Sequence, residues 1–330
     1  MMKTGALIIP TGVGASIGGY AGDAGAYIRK LAKQCRLIVN PNAVNAACFS
    51  SITENMLYVE GYSLDEFFKG KISLVPKIGN KIGIVYDKSI SQRVLNVHIN
   101  TANAVKTVYG VDIIGYEVTK EPVGVEFFID KSGSSMGNVK NLTTIKNAAN
   151  ILISKGAEAI AIVCAFPEED SDEYANGIGA DPVGGVEAII SHYISKELKI
   201  PCAHAPAFEN ITIPTEIVSQ KAAAEYITPT FLPCILLGLN NAPKLEPHPI
   251  PSPTGEGAEK AQQDIISVNN IDFLITPYDC LGGIGVLEML KRGKKVYAIK
   301  ENTTVLDVTE EKLNIKCDII NTYEDLRELV

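Results

Sequence analysis

Short, continuous apolar runs recur along the chain, each bounded by glycine, proline or asparagine. Such runs are typical of strands buried on both faces, as in a parallel sheet. They predict strands at residues 6–9, 37–39, 82–86, 125–129, 159–165, 234–239, 273–276 and 295–299. Helical spacing between them predicts helices at residues 24–33, 142–155, 186–198, 217–226 and 284–292. This alternation predicts a doubly wound α/β fold with mainly parallel sheets.

The length of 330 residues favours two lobes over one. We predict an N-terminal α/β lobe at residues 1–118 and a C-terminal α/β lobe at residues 119–330, facing a central cleft. The turn at residues 11–16 matches residues 176–181, and each is followed by a Gly-Gly pair and a helix. This match indicates either an internal repeat or a chance likeness of glycine-rich turns. We expect the proline-rich segment 242–257 to be a surface loop or a connection between lobes.

Composition narrows the class of protein. Hydrophobic residues make up 46% of the chain, which excludes disorder, and the net charge of -8 argues against a nucleic acid partner. No apolar run reaches the ~18 residues of a membrane span. The seven cysteines lie mostly in apolar runs, as reduced thiols do. We therefore expect a cytoplasmic protein that binds a small molecule and neither nucleic acid nor membrane, and we leave open whether it is a homo-oligomer.

Glycine-rich turns between predicted strands and helices are the first candidate binding sites. Glycines let backbone N–H groups face a ligand, and a helix N-terminus adds positive potential, so these turns favour an anion. A tight turn without a ligand is the alternative. The donor-rich loop 131–138 is likewise either an anion site or a loop that binds no ligand. The residues assigned to ligand binding here are Thr11, Gly12, Gly14, Ser16, Gly18 and Gly19, with Gly184 and Gly185 in the matching turn.

Titratable side chains are densest between residues 181 and 209, where two of the four histidines lie. Cys202 and His204 share a face if their segment is extended. An adjacent imidazole would make Cys202 a thiolate, while the same pair with a further histidine has the character of metal ligands. A buried cysteine beside a hydrogen-bonded histidine is the third interpretation. The residues assigned to acid–base catalysis are Cys202, His204, Glu187 and His192, with Asp181 as a ligand contact and no cofactor required.

Asparagines follow the second predicted strand. Asn42 and Asn45 either hydrogen-bond a polar ligand or hold the local turns together. Cys48 in the same segment and Cys202 occupy similar places in the two proposed repeats, which would suit proton exchange on opposite faces of a substrate.

The C-terminal element is similar to that of the UDP-sugar 2-epimerases. In those enzymes a Gly-Gly helix start holds phosphate and a glutamate a few residues further holds ribose. The resemblance implies these roles for Gly282, Gly283 and Glu288. Asn302 and Thr303, in the loop after the last predicted strand, are assigned as further ligand contacts.

Nearly the whole chain resembles the DUF3326 family of bacteria, including cyanobacteria, and plastid-bearing eukaryotes. The resemblance is carried by residues 10–23, 58–62, 201–207, 282–283 and 301–304. It implies no reaction. From the residues we expect an enzyme that acts on a small anionic metabolite, carboxylate or phosphate, by Cys/His/Glu acid–base chemistry, as an isomerase, racemase or hydrolase. The alternatives are a nucleotide- or nucleotide-sugar-dependent enzyme and a metabolite sensor without catalysis.

Overall fold

A computed structural model describes residues 2–168, 172–213, 215–248 and 265–326. Its strands are β1 (Thr4–Leu7), β2 (Arg36–Val39), β3 (Asn45–Ala46), β4 (Phe49–Ser50), β5 (Met56–Tyr58), β6 (Ile72–Val75), β7 (Ile82–Tyr86), β8 (Ile113–Val118), β9 (Val125–Ile129), β10 (Ser135–Val139), β11 (Ala159–Ala165), β12 (Cys202–Ala207), β13 (Lys244–Pro247), β14 (Phe273–Pro277), β15 (Lys295–Ile299) and β16 (Asp318–Ile320). Its α-helices are α1 (Gly25–Leu31), α2 (Pro41–Val44), α3 (Gly61–Phe68), α4 (Gln92–Tyr109), α5 (Leu142–Ser154), α6 (Asp172–Ala175), α7 (Gly184–Leu198), α8 (Ala223–Tyr226), α9 (Leu232–Asn240), α10 (Ile284–Lys291), α11 (Glu310–Leu313) and α12 (Tyr323–Leu326). The predicted α/β class is confirmed.

A six-stranded parallel sheet has the order β16-β15-β14-β1-β2-β5. Numbered within the sheet from β1 in chain order, this is the doubly wound arrangement 3-2-1-4-5-6, and the direction of winding reverses between β1 and β14. The central strand β1 is buried on both faces, as its apolar sequence predicts, and Ala6 lies between Ile38 and Leu274. In such sheets ligands bind beyond the carboxyl ends of the strands, beside the reversal.

A second, four-stranded parallel sheet has the order β12-β11-β7-β8. All of its strands come from the chain between β5 and β14. The predicted lobe boundary at residues 118/119 therefore falls within this sheet, at the end of β8. The N- and C-terminal parts of the chain share one sheet, and the middle forms the other. Crossover connections in parallel sheets can be long, which allows a whole sheet to be inserted between two strands of another.

Helix α9 differs from the sequence prediction, which gave a strand at residues 234–239. Nearly all of its residues are buried, and its apolar side chains belong to a core that draws on strands of both sheets. A continuous apolar run predicts burial on every side but does not separate a buried strand from a buried helix. Here Pro233 in the first helical turn begins a helix, because proline is favoured there.

Two further segments differ from their predictions. Strand β9, predicted as part of the parallel sheet, pairs antiparallel with β10 in a hairpin. The donor-rich loop 131–138 contributes the turn and most of β10, and the Asp130 carboxylate accepts the Ser132 and Ser134 N–H groups within the turn. Of the proline-rich segment, residues 242–248 include β13, and the remainder lies outside the described residues.

Candidate functional site

A large cavity lies where the carboxyl ends of β1, β2, β5 and β14 face the second sheet. Its volume is about 710 Å³, which suits a metabolite-sized ligand. Residues just beyond these strand ends line it, among them Thr11 after β1, Asn42 after β2 and Glu60 after β5. From the other side it is lined by α7 and by the end of β12. The cavity therefore occupies the position that strand order predicts for a ligand.

The cavity brings together part of the set of residues predicted from sequence. Those that line it are Thr11, Gly19, Asn42, Asn45, Asp181, Glu187, His192, His204 and Gly283. Those outside its lining are Gly12, Gly14, Ser16, Gly18, Gly184, Gly185, Cys202, Gly282, Glu288, Asn302 and Thr303. The acidic and imidazole side chains are thus grouped, whereas most of the glycines lie elsewhere.

A glutamate and a histidine form the centre of the cavity wall. Glu187 lies in the first turn of α7 and His204 in the middle of β12, so a helix and an adjacent edge strand hold the pair. His204 Nε2 and Glu187 Oε2 are 3.5 Å apart. Glu187 is 8% exposed. The His204 Nδ1 atom is buried and has no hydrogen-bond partner among the described residues. A half-buried imidazole with one free nitrogen is a group that can move a proton.

A second carboxylate–imidazole pair stands nearer the mouth of the cavity. Glu60 caps α3, and its Oε2 accepts the N–H groups of Tyr62 and Ser63. Its Oε1 lies 3.1 Å from His192 Nε2 on α7, and the His192 side chain is 49% exposed. Gly61 leaves room for that ring, because a Cβ there would lie 2.5 Å from His192 Nε2. This pair therefore joins α3 to α7 across the cavity.

Two further carboxyl groups lie half-buried beside Glu187. Burial raises the pKa of Asp181 well above its ordinary value, and the charges of Glu187 and Glu225 raise it further. Burial likewise raises the pKa of Glu225 to about 7, although the Ala21 N–H and the Tyr174 hydroxyl, each 2.9 Å from Oε1, favour its charged form. Carboxyl groups that retain protons near neutral pH are candidate general acids.

Glu225 and Glu60 are the site residues that the sequence prediction missed. Glu225 occurs in a helical pattern that marks it as an ordinary surface glutamate, and its burial depends on tertiary packing. Glu60 had a detectable signal, since an acidic residue followed by an amphipathic run is a common helix start.

Cys202 lies behind the cavity wall and is 1% exposed. Its thiol donates to the Ser191 carbonyl oxygen at 3.2 Å and lies 3.0 Å from Ser195 Oγ. Burial raises the pKa of this thiol well above its ordinary value. These contacts correspond to the buried, hydrogen-bonded cysteine that was one of three interpretations of the sequence, and they leave the thiol out of reach of a ligand in the cavity.

The first glycine-rich turn directs its polar groups to the chain itself. Ser16 N–H donates to the Thr303 carbonyl oxygen at 2.7 Å, and Ile17 N–H donates to Asn302 Oδ1 at 3.0 Å. Gly18 N–H donates to the Asp23 carboxylate at 2.6 Å. Asn302 and Thr303 thus hold the turn in place. Of the donors predicted to capture an anion, the N–H groups of Ser16 and Gly18 already have partners within the protein.

A second contact joins the two matching turns, and we call it the glycine junction: Gly12, Gly184, Gly185 and Ser135. Ser135 N–H donates to the Gly12 carbonyl oxygen at 2.8 Å, and Ser135 Oγ accepts Gly185 N–H at 2.9 Å. A Cβ on Gly185 would overlap the Ser135 carbonyl oxygen, and one on Gly184 would lie 2.7 Å from Thr11 Cγ2. These glycines allow backbones to approach each other, which is the ligand-free alternative for such turns.

Asparagine side chains also hold turns. Asn42 Nδ2 donates to the Gly18 carbonyl oxygen at 2.9 Å, and Asn45 Oδ1 accepts the Tyr58 hydroxyl at 3.2 Å. At the C-terminal element, Gly283 lines the cavity, whereas Glu288 lies outside it and contacts Arg292 at 3.3 Å. Of the three residues to which the likeness to the sugar epimerases gave roles, Gly283 alone lines the cavity.

The charge of the cavity opposes an anionic ligand. Its described lining contains the carboxyl groups of Glu60, Asp65, Glu168, Asp181, Glu187 and Glu225. No lysine or arginine occurs among those described lining residues. An anion there would meet like charges without a counter-charge. Within the described ranges, no group of three or more His, Cys, Asp or Glu side chains is arranged to hold a metal ion.

One curated relative is similar over most of the chain. An uncharacterized lipoprotein of Synechococcus sp. is 35% identical over 325 residues, which cover 97% of this chain and 88% of the relative. No solved structure matches the chain. The relative's name contradicts the cytoplasmic location predicted from sequence, because a lipoprotein is anchored to a membrane by lipid. That prediction relied on the lack of a long apolar run, which a lipid anchor does not require, and on cysteines whose places in apolar runs are typical of reduced thiols.

Among the described helices, none combines the length and the apolar character needed to cross a bilayer. The profile of a family described as "Protein of unknown function (DUF3326)" matches residues 4–328. This match and the relative's 35% identity extend over nearly the whole chain, as the resemblance in sequence predicts. The chain belongs to the DUF3326 family.

Proposed function

We propose that this protein is an enzyme that binds a small polar metabolite in the central cavity and catalyses a proton transfer, as an isomerase or a hydrolase. The observation that carries the proposal is the Glu187–His204 pair on the cavity wall, in which Glu187 is buried, beside two carboxyl groups with raised pKa values. Sites of proton transfer commonly combine a base with an acid whose pKa lies near the working pH.

In this proposal each group has a distinct task. Glu187 accepts the proton from the substrate, and His204, whose Nε2 is 3.5 Å from Glu187 Oε2, orients the carboxylate and shares the proton. Glu225, with its pKa raised to about 7, supplies a proton to the product. Cys202 takes no part, because its thiol is buried and bonded to backbone and serine oxygens.

The proposal is tested by solvent exchange, which works even while the substrate is unidentified. The protein is incubated with a mixture of small polar metabolites in D₂O, and mass spectrometry identifies compounds that gain deuterium or are consumed. Glu187→Gln and His204→Asn are expected to slow that reaction by about 10²–10⁴-fold, the usual contribution of a general acid or base.

Glu197→Gln is the matched control, because Glu197 lies on the same helix, on the surface, paired with Lys146. It should react at the wild-type rate. Equal rates in Glu187→Gln and wild type would contradict the proposal. So would a wild-type protein that binds a metabolite yet neither exchanges nor consumes it, since that outcome describes a sensor.

A further inference from the structure

Within the described lining, the carboxyl groups of the cavity are accompanied by imidazoles but by no lysine or arginine, and Lys69, outside that lining, acts on one lining acid, Asp65. The described lining contains six carboxyl groups and no lysine or arginine. Lys221, which influences Asp23 beside the cavity, donates to the Ser16 carbonyl oxygen at 2.8 Å and lies outside the lining. Charges in such a concave, partly apolar space interact more strongly than charges in water. The cavity is therefore prepared for a group of positive charge.

Glu187 is an independent indication of a missing partner. Its side chain lines the cavity and the residue is 8% exposed, yet no described backbone or side-chain group donates a hydrogen bond to its carboxylate oxygens. Their one polar contact among the described residues is His204 Nε2, at 3.5 Å. A carboxylate on a cavity wall without donors from the described residues has acceptor positions left for a ligand. A donor carried by the ligand would occupy them.

The neighbouring acids point the same way. Asp181 and Glu225 line the cavity beside Glu187, where burial raises the pKa of Asp181 and the charges of Glu187 and Glu225 raise it further. Aromatic rings, including those of Phe208 and Phe231, form other parts of the wall. An ammonium group suits both features, since it donates to carboxylates and is attracted to aromatic faces.

We propose that the substrate of this cavity carries a protonated amino group, which donates a hydrogen bond to the Glu187 carboxylate and lies beside the carboxyl groups of Asp181 and Glu225. This inference rests on the proposed function, because it names the class of substrate for the same site. It replaces the anionic metabolite expected from sequence.

The test compares three compounds that share a six-carbon chain and differ in their end groups: 1,6-diaminohexane, 1,6-hexanediol and adipate. Each is added to the intact protein, and the midpoint of thermal unfolding is recorded. We expect a rise of about 3 °C with the diamine at saturation and little change with the diol or adipate. A rise with adipate, or an equal rise with magnesium chloride, would overturn the inference.

Two variants separate a specific site from general attraction to an acidic protein. Glu187→Gln and Glu197→Gln remove the same charge, but only Glu187 lines the cavity. Calorimetry should show affinity for the diamine about tenfold weaker in Glu187→Gln, because a hydrogen bond to a charged group is lost. Glu197→Gln should match wild type. Equal affinity in both variants would overturn the inference.

Asp181→Asn provides a second test within the site if Glu187→Gln folds poorly. This variant should also bind the diamine more weakly than wild type. The two proposals fail in different ways. If the diamine binds but no metabolite is turned over, the inference of an amino-group ligand stands and the proposed enzymatic function is contradicted. Turnover of a metabolite that lacks an amino group, lost in Glu187→Gln, ends the ligand class and leaves the enzyme.

Discussion

The glycine junction and the central cavity are adjacent polar regions that treat their polar groups in opposite ways. At the junction, the Ser135 hydroxyl accepts Gly185 N–H and donates to the Pro182 carbonyl oxygen at 2.6 Å. In the cavity, the carboxylate of Glu187 accepts no hydrogen bond from the described residues. A region whose donors and acceptors satisfy one another stabilises the fold. A region that leaves them unsatisfied has given up stability for a ligand.

The substitution with the largest expected effect disrupts the glycine junction. Gly185→Ala places a methyl group against the Ser135 carbonyl oxygen, and backbone in a strand cannot move aside cheaply. We expect the free energy of unfolding, measured in urea, to fall by about 3 kcal/mol. Gly283→Ala is the control, because a Cβ there has open space and the backbone φ is -69°. It should cost less than about 1 kcal/mol. Similar losses in both variants would contradict this account of the junction.

The next effect concerns the cavity acids. Burial raises the pKa of Glu225 to about 7 from 4.5, so the folded protein holds a proton that the unfolded chain releases between those values. The resulting stability is complete below about pH 4.5 and is lost as pH rises towards 7. Through this residue, the free energy of unfolding should fall by about 3 kcal/mol over that range.

Glu225→Gln should flatten that pH dependence, leaving the contribution of Asp23 and Asp181, whose pKa values are also raised. In Tyr174→Phe the free energy of unfolding should continue to fall up to a higher pH, because the Tyr174 hydroxyl lowers the pKa of Glu225 and its loss raises that pKa. Urea unfolding at pH 5 and pH 8 measures both variants. An unchanged slope in Glu225→Gln would show that this acid is not buried in the folded state.

The smallest effect on stability should come from Gly61→Ala. The new methyl group meets the half-exposed His192 ring, which can swing into solvent, so the free energy of unfolding should change by less than about 1 kcal/mol. The contact between His192 and Glu60 should nevertheless be lost. In NMR spectra the His192 imidazole resonance should shift, while those of His98 and His248 stay in place. A loss above about 2 kcal/mol would mean that the ring cannot move.

The sequence predicted the sheets well because buried parallel strands have a distinctive composition. β7 and β11 match the predicted runs 82–86 and 159–165 residue for residue. The 18-residue helix α4 was missed, since its face is mostly polar and only four of its side chains are buried. The prediction gave a strand in place of α9 because burial on all sides removes the periodicity that separates the two.

For the site, the sequence analysis identified Glu187 and His204 as site residues, but it did not identify the sign of the charge that the ligand carries. Glycine-rich turns predict a close approach of backbone, and they do not reveal whether a ligand or another turn approaches. The charge of the cavity depends on which carboxyl groups the fold brings together in its lining. Glu60, Asp181 and Glu225 come from α3, α7 and α8 regions that are far apart in the chain. No local pattern reports that assembly.

The inserted sheet has a consequence for synthesis on the ribosome. Strand β1 is made first, but its neighbour β14 follows only after the whole four-stranded sheet, since Gly5 pairs with Phe273. At ordinary rates of translation the open edge of β1 waits on the order of 10–50 s for that partner. The inserted sheet is contiguous in the chain and can form meanwhile. Nascent chains should therefore expose an apolar strand edge for most of their synthesis, which makes them clients for chaperones that shield such edges.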